Sequence, residues 1–137
     1  MTETFRDIVR AQFEEHIAVL SASSGLYDTV THAAQVITGS MQTGHRLYAC
    51  GNGGSACDAM HLVEEFVGQY KNRRPALPAH NLMDPSTMTC WSNDESFMDV
   101  FRRQIEAYGK EGDVFVGIST SGNSENVLRA LEEARKR

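Results

Sequence analysis

Two amphipathic helices are predicted at the start of the chain. Apolar side chains recur at steps of three and four residues over 3–22, and the same spacing returns over 26–42. A Ser- and Gly-containing stretch over 21–25 separates the two segments, and Gly44 favours a stop after the second. Because both apolar stripes need a covering surface, we expect either a helical hairpin or packing on a partner subunit.

The pattern then alternates between strands and helices. Short apolar runs over 46–50 and 114–118 predict strands, and the second is continuously apolar, as expected of a strand covered on both faces. A weaker strand is predicted over 79–83. Helical spacing is seen over 54–70 and again over 95–109.

Turn and cap residues fill the remaining intervals. Residues 84–86 predict a turn or a helix start, 88–91 a short helix, and 92–94 a cap or turn. A last helix is expected after residue 122, with Asn123 or Ser124 as its N-cap. Two helices followed by alternating strands and helices indicate an α/β fold with a parallel sheet.

Composition narrows the classes of protein that this pattern allows. The 137 residues suit one domain, and a net charge of −5 argues against a broad nucleic-acid surface. A local basic patch at Lys71, Arg73 and Arg74 stays open beside the alternative of a solvated loop. No apolar run approaches the roughly 18 residues of a membrane span, so we expect no membrane partner.

The cysteines indicate a reducing compartment. Cys50, Cys57 and Cys90 are odd in number and lack CxxC spacing, which fits neither a disulfide framework nor a structural zinc cluster. We therefore expect a cytoplasmic protein whose cysteines act as small buried hydrophobic residues.

Two polar loops each lie between a strand and a helix. Residues 51–55 are rich in glycine, while 119–124 contain the hydroxyls of Ser119, Thr120, Ser121 and Ser124. A helix start offers unpaired N–H groups and a partial positive charge, so the second loop suits a phosphate, although a capped hydrophilic turn is the alternative. The glycine loop has neither GxGxxG nor a GK[ST] ending, which argues against a dehydrogenase or an NTPase.

His61 and Glu65 lie four residues apart on the predicted helix that follows the glycine loop. This spacing stacks the two side chains on one face. An exposed helix pair is one interpretation. The others are two ligands of a divalent metal and a base, Glu65, that acts beside a sugar carbon.

Several motifs together resemble a known family. CGNGGS at 50–55, DAMH at 58–61 and EE at 64–65, followed by ND at 93–94 and GISTSGNS at 117–124, resemble the phosphoheptose isomerases of the SIS domain class. The resemblance covers the whole chain. It implies a SIS-type parallel sheet flanked by helices, an αβα sandwich, preceded by two N-terminal helices.

The resemblance also implies a reaction, the conversion of sedoheptulose 7-phosphate to D-glycero-D-manno-heptose 7-phosphate through an enediol, for heptose and lipopolysaccharide precursors. Glu65 matches the base, and His61 with Glu65 matches two ligands of the zinc ion, one per subunit, of some members. The matched substrate residues are Asn52, Gly53, Gly54, Ser55, Asn93 and Asp94 beside the sugar and Ser119, Thr120, Ser121 and Ser124 at the phosphate. Members of the family are homotetramers with sites at subunit interfaces.

The chain departs from the family pattern at two points. Family members continue with further strands and a C-terminal helix that carries a catalytic His and a Gln ligand, and Gln69 stands where many members have Arg. We therefore expect residues 1–137 to form one SIS domain truncated at its C-terminal end, with a helical hairpin over 1–43 and an α/β part over 44–137.

Two other functions remain open at this point. One is a non-catalytic SIS protein that binds a phosphosugar or a protein, as in relatives that bind a bacterial replication initiator. The other is a sugar-phosphate regulator, against which the absence of a DNA-binding segment counts. The presence of both His61 and Glu65 favours the enzyme, whereas the missing C-terminal groups favour the binding protein.

Overall fold

The computed structural model describes residues 4–137, which form helices and a small sheet. In chain order the elements are α1 (Phe5–Ala22), α2 (Tyr27–Gln42), β1 (Leu47–Gly51), α3 (Gly54–Val67), β2 (Ala79–Asn81), α4 (Pro85–Asp94), α5 (Val100–Tyr108), β3 (Val114–Ile118) and α6 (Glu125–Ala134), with 3₁₀ turns at Ser23–Leu26 and Phe97–Asp99. Over 4–137, no helix is both long enough and apolar enough to cross a bilayer.

The chain divides into two compact units, one ending at Val36 and the other running from Ile37 to Arg137. In the first, α1 begins with a capping box in which Thr4 and Asp7 bond each other's backbone N–H groups. The predicted helices are confirmed, but neither α1 nor α2 contains a buried residue. The helical hairpin expected over 1–43 stays a prediction.

The three strands of the second unit form one parallel sheet in the order β2-β1-β3. β1 is the central strand, and Gly51 at its end pairs with Ile118 at the end of β3. A parallel sheet needs crossover helices, which α3 and the α4–α5 segment supply. The predicted α/β fold with a parallel sheet is confirmed.

Helices cover both faces of β1, whose successive side chains point to opposite faces of the sheet. On one face Leu47 and Ala49 pack against Ala59 and Val63 of α3, with Ile37 at the edge. The other face carries the larger core, formed by Tyr48, Cys50, Leu82, Val100, Phe101, Ile105, Val127 and Ala130. The sheet is thus the middle layer of a sandwich.

Four details differ from the sequence-based expectations. Residues 92–94 belong to the last turn of α4, which is capped by Asp84 at its start and ends at Asp94. The helix expected over 95–109 starts later, at Val100, after a 3₁₀ turn. β3 is only half-buried. Cys57 and Cys90 are exposed, so Cys50 alone behaves as a buried hydrophobic residue. Burial raises the pKa of the Cys50 thiol to about 12.

Candidate active site

The two polar loops lie side by side at the carboxyl ends of neighbouring strands. β1 and β3 are paired up to Gly51 and Ile118, so both loops leave the same edge of the sheet. A mutual pair of amide hydrogen bonds, each 2.9 Å, joins Asn52 in one loop to Asn126 just after the other. This edge is where open α/β sheets bind their ligands.

Backbone geometry explains the glycines of the first loop. Gly51 is buried, and a Cβ there would fall well inside van der Waals contact with the carbonyl oxygen of Ser55. Gly53 has φ of +55°, in the left-handed region that favours glycine. The chain can therefore turn directly from β1 into α3 and leave Gly53 and Gly54 exposed.

We predict that Gly51→Ala lowers the free energy of unfolding by about 1–3 kcal/mol, because the new methyl group would collide with a backbone atom that cannot move aside. Chemical denaturation measures the change. Gly54→Ala is the matched control, since a Cβ at Gly54 meets nothing within 4 Å and should leave stability near wild type. Equal stability of the two variants would contradict the proposed close approach.

The second loop presents hydroxyls and backbone donors together. The Oγ atoms of Ser119 and Ser124 lie 2.9 Å apart, and Ser121 Oγ accepts the N–H of Asn123 at 3.1 Å. Ser124 is the N-cap of α6, as predicted, but its hydroxyl bonds Ser119 instead of the helix. Within residues 4–137, the backbone N–H groups that precede Val127 at the start of α6 have no acceptor. The loop and the helix therefore offer unpaired donors to an anion.

A second cluster lies further along α3. His61 Nε2 is 3.4 Å from Glu65 Oε1, and one ligand atom each from His61, Glu64 and Glu65 lie within 4.8 Å of one another. The His61 side chain is 73% exposed and that of Glu65 is 31% exposed. The predicted stacking of His61 on Glu65 is confirmed, and Glu64 joins them.

Within one chain this cluster is separated from the two loops. Glu65 follows Gly54 by eleven residues of α3, which is about 16 Å along the helix axis. α3 also runs back along the sheet, because it leads from the end of β1 to the start of the parallel strand β2. The sequence-predicted base therefore lies away from the loop edge of its own sheet.

Arg74 holds the end of α3 that carries Glu65. Its guanidinium donates to the backbone carbonyls of Glu65 and Phe66, the latter at 2.9 Å, and so satisfies groups that the helix leaves unpaired. The sequence offered Arg74 only as a member of a basic patch or a solvated loop. It is instead a helix-capping residue, which no local spacing indicated.

Asn93 and Asp94 are placed on the last turn of α4, and their side-chain hydrogen bonds stay within that helix. Asn93 Nδ2 donates to Asp94 at 2.8 Å, and the Cys90 thiol approaches the same carboxylate at 3.4 Å. Hydrogen bonds from Asn93 and then Cys90 hold the pKa of Asp94 below its usual value. Asp94 is thus an ionised acceptor, suited to hydroxyl groups, and its role beside the sugar stays a prediction.

Comparison with known proteins places these residues in a family. A family model described as a SIS domain matches residues 12–137. The phosphoheptose isomerase of Cytophaga hutchinsonii is 48% identical over 130 residues, which cover 93% of this chain and 68% of that protein. The phosphoheptose isomerase of Edwardsiella ictaluri is 44% identical over 134 residues, covering 96% of this chain and 69% of the relative.

Solved structures are similar over nearly the whole chain. The phosphoheptose isomerase GmhA from Neisseria gonorrhoeae superposes with a TM-score of 0.91 at 39% identity, covering 98% of this chain and 71% of that one. A phosphoheptose isomerase from Francisella tularensis gives 0.92 at 34% identity, covering 97% and 71%. The chain therefore shares its fold with these proteins.

Proposed function

The chain belongs to the phosphoheptose isomerases, a group within the SIS domain family, and we propose from this membership how its residues divide the reaction between them. The reaction is the isomerisation of sedoheptulose 7-phosphate to D-glycero-D-manno-heptose 7-phosphate. Its product supplies heptose for lipopolysaccharide precursors.

The observation that carries the proposal is the pairing of the two loops at one sheet edge. Ser119, Thr120, Ser121 and Ser124 hold the phosphate with the first N–H groups of α6, since hydroxyls and a helix start both favour a dianion. The glycine loop at Asn52–Ser55 receives the sugar, because its exposed backbone lets hydroxyl groups approach closely. Asn93 and Asp94 contribute further polar contacts to the sugar.

Glu65 is the group that moves the proton. Its carboxylate takes a proton from C1 of the ketose while solvent water protonates O2, which gives the enediol. The same proton then returns to C2 as O1 gives its own proton back to solvent, which gives the aldose. The partial exposure of Glu65 leaves the carboxylate open to a ligand that arrives from outside the chain.

The test of this function is turnover of sedoheptulose 7-phosphate by the purified chain, followed by the appearance of the aldose. Turnover that depends on Glu65 supports the enzyme. Phosphosugar binding without turnover would favour the alternative of a non-catalytic SIS protein.

A zinc ion fits the donor set on α3. Imidazole and carboxylate are ligands that zinc accepts, and His61 and Glu65 already lie 3.4 Å apart with Glu64 close by. When bound, the ion would polarise the oxygens of the substrate. His61 and Glu65 would hold it, and one ion per subunit is expected.

We predict that His61→Ala lowers the affinity for zinc at least tenfold. Loss of a residue that only supports a metal ligand already lowers metal affinity about tenfold or more, and loss of the ligand itself should lower it at least as much. Titration calorimetry with zinc alone measures this without any turnover. His32→Ala is the control, since His32 is an exposed residue of α2 outside the cluster. Equal zinc affinity in both variants would remove the metal site.

A shared site between copies of the chain is the third part of the proposal. The separation of about 16 Å along α3 leaves Glu65 away from its own loops, so a second copy is proposed to bring its loops to this cluster. The first unit also exposes large apolar side chains that a homotetramer would cover. They are Phe5, Val9, Phe13, Ile17, Val19, Leu20, Leu26, Tyr27 and Val30, each more than half exposed.

We predict that Phe13→Asp combined with Leu20→Asp reduces the mass in solution from tetramer to smaller species, because two charges would enter an apolar interface. Light scattering after size exclusion measures the mass. Ala11→Asp, on the opposite side of α1, should stay at the wild-type mass.

A cytoplasmic location is proposed as well, on the ground that all three cysteines are free thiols.

A further inference from the structure

Asn126 is a buried polar residue for which the proposed reaction has no direct use. Its side chain is 2% exposed, and it lies in the first turn of α6. Asn126 Nδ2 donates to Asn52 Oδ1, and Asn52 Nδ2 donates to Asn126 Oδ1, both at 2.9 Å. The Oδ1 atom of Asn126 also accepts the N–H of Val127 at 3.0 Å. Each amide is therefore both donor and acceptor to the other.

The position of this amide pair gives it a function. Backbone pairing between β1 and β3 ends at Gly51 and Ile118, and the two loops begin beyond it. Among the hydrogen bonds of residues 4–137, the Asn52–Asn126 pair is the one that joins the glycine loop to the loop and helix start on the phosphate side. It is therefore the side-chain contact that spans the two loops.

Burial makes the two amides depend on each other. A buried amide must find partners within the protein, and Asn126 takes both a donor and an acceptor from Asn52. Removing either side chain leaves the other with unmet hydrogen bonds, so the loops should separate or admit water. A substitution in one loop is then felt in the other.

We propose that Asn126 is a positioning residue, which through its amide pair with Asn52 fixes the spacing between the sugar loop and the phosphate loop. The identity of the ligands rests on the proposed function, but the bridge itself does not. A ligand that reaches both loops at once should depend on the spacing, whereas a ligand that occupies the phosphate loop alone should not.

The first experiment compares two ligands in Asn126→Ala. We expect the affinity for sedoheptulose 7-phosphate, measured as KM and by direct titration, to weaken about tenfold, which is the usual order for one buried hydrogen-bonded group. The affinity for inorganic phosphate should change less than about threefold. Equal losses for both ligands would show that Asn126 acts only on its own loop and would overturn the proposal, as would no loss for either.

Three further variants sharpen this result. Asn126→Asp keeps the acceptors for Asn52 and Val127 but loses the donor, so it should retain an intermediate affinity. In the free energy of unfolding, Asn52→Ala with Asn126→Ala should be little worse than Asn126→Ala alone, because the two side chains form a single interaction. Additive losses would contradict the bridge. Asn72→Ala, at an exposed loop position, is the control and should match wild type.

Hydrogen exchange tests the bridge without any sugar. Asn52→Ala should speed amide exchange over 119–127, and Asn126→Ala should speed it over 52–56, with no change in either segment for Asn72→Ala. Effects confined to the mutated segment would overturn the proposal, even if Asn126→Ala proves too unstable for kinetics. If the wild-type chain does not bind sedoheptulose 7-phosphate, the proposed function fails, and this exchange pattern alone still decides the bridge.

Discussion

Glu65→Gln is expected to lower kcat for sedoheptulose 7-phosphate about a thousandfold, with a much smaller change in KM. A general base contributes on the order of 10²–10⁴ to a rate, and glutamine has the shape of glutamate but cannot accept the proton from C1. The side chain is 31% exposed and packs in no core cluster, so the variant should fold normally. Steady-state kinetics measure the effect, and thermal melting checks the fold.

Two comparisons give this prediction its meaning. Glu132→Gln removes the same charge from an exposed position on α6 and should retain wild-type turnover. His61→Ala keeps the Glu65 carboxylate but removes a proposed zinc ligand, so it should lose less activity than Glu65→Gln if the carboxylate is the base. Full turnover in Glu65→Gln would exclude Glu65 from that role. Equal losses in the two variants would point to zinc binding as the function of Glu65.

Local patterns predicted the elements of this fold because each element is decided by neighbours in sequence. β1 and β3 were recognised as apolar runs between turn residues, and α3 by its spacing of apolar positions. The prediction for residues 92–94 was wrong because Asp94 is a residue type typical of caps, whereas the residue that caps α4 is Asp84 at its start. Residue type alone does not distinguish a cap from a residue inside the last turn of a helix.

Tertiary contacts explain what the sequence could not supply. Asn126 is 74 residues from Asn52, and Arg74 reaches back to a carbonyl nine residues earlier, so neither role has a local periodicity. The exposure of Cys57 and Cys90 was missed because cysteine alone does not report which face of a helix it occupies. The distance between Glu65 and the loops likewise follows from the direction of α3, which required the strand pairing.

Family resemblance supplied roles that physical patterns left open. His61 and Glu65 at four-residue spacing fit an exposed pair, a metal site or a base, and the structure adds Glu64 to the cluster without choosing between these roles. The reaction follows from the family, whereas the assignment of each residue stays a prediction. Substitution at single residues is therefore the measurement that decides between them.

The phosphate loop gives the second large prediction. Ser121→Ala combined with Ser124→Ala should raise KM for sedoheptulose 7-phosphate on the order of a hundredfold, because each hydrogen bond to a charged group is worth about 1.5–3 kcal/mol and every 1.4 kcal/mol is a factor of ten. The backbone N–H groups at the start of α6 remain, which keeps the loss near the lower end of that range. Proton transfer takes place at the other end of the sugar, so kcat should change much less.

Inorganic phosphate separates this loop from the rest of the site. Competitive inhibition by inorganic phosphate should be weaker in the double variant by about the same factor as the affinity for the sugar phosphate, because both ligands would lose the same two hydroxyl donors. Ser86→Ala, which removes an exposed hydroxyl from the first turn of α4, should change neither constant. If KM rises while phosphate inhibition stays at the wild-type level, Ser121 and Ser124 contact the sugar, and the phosphate must bind elsewhere. If both constants stay unchanged, the loop is the capped hydrophilic turn that its sequence also allows.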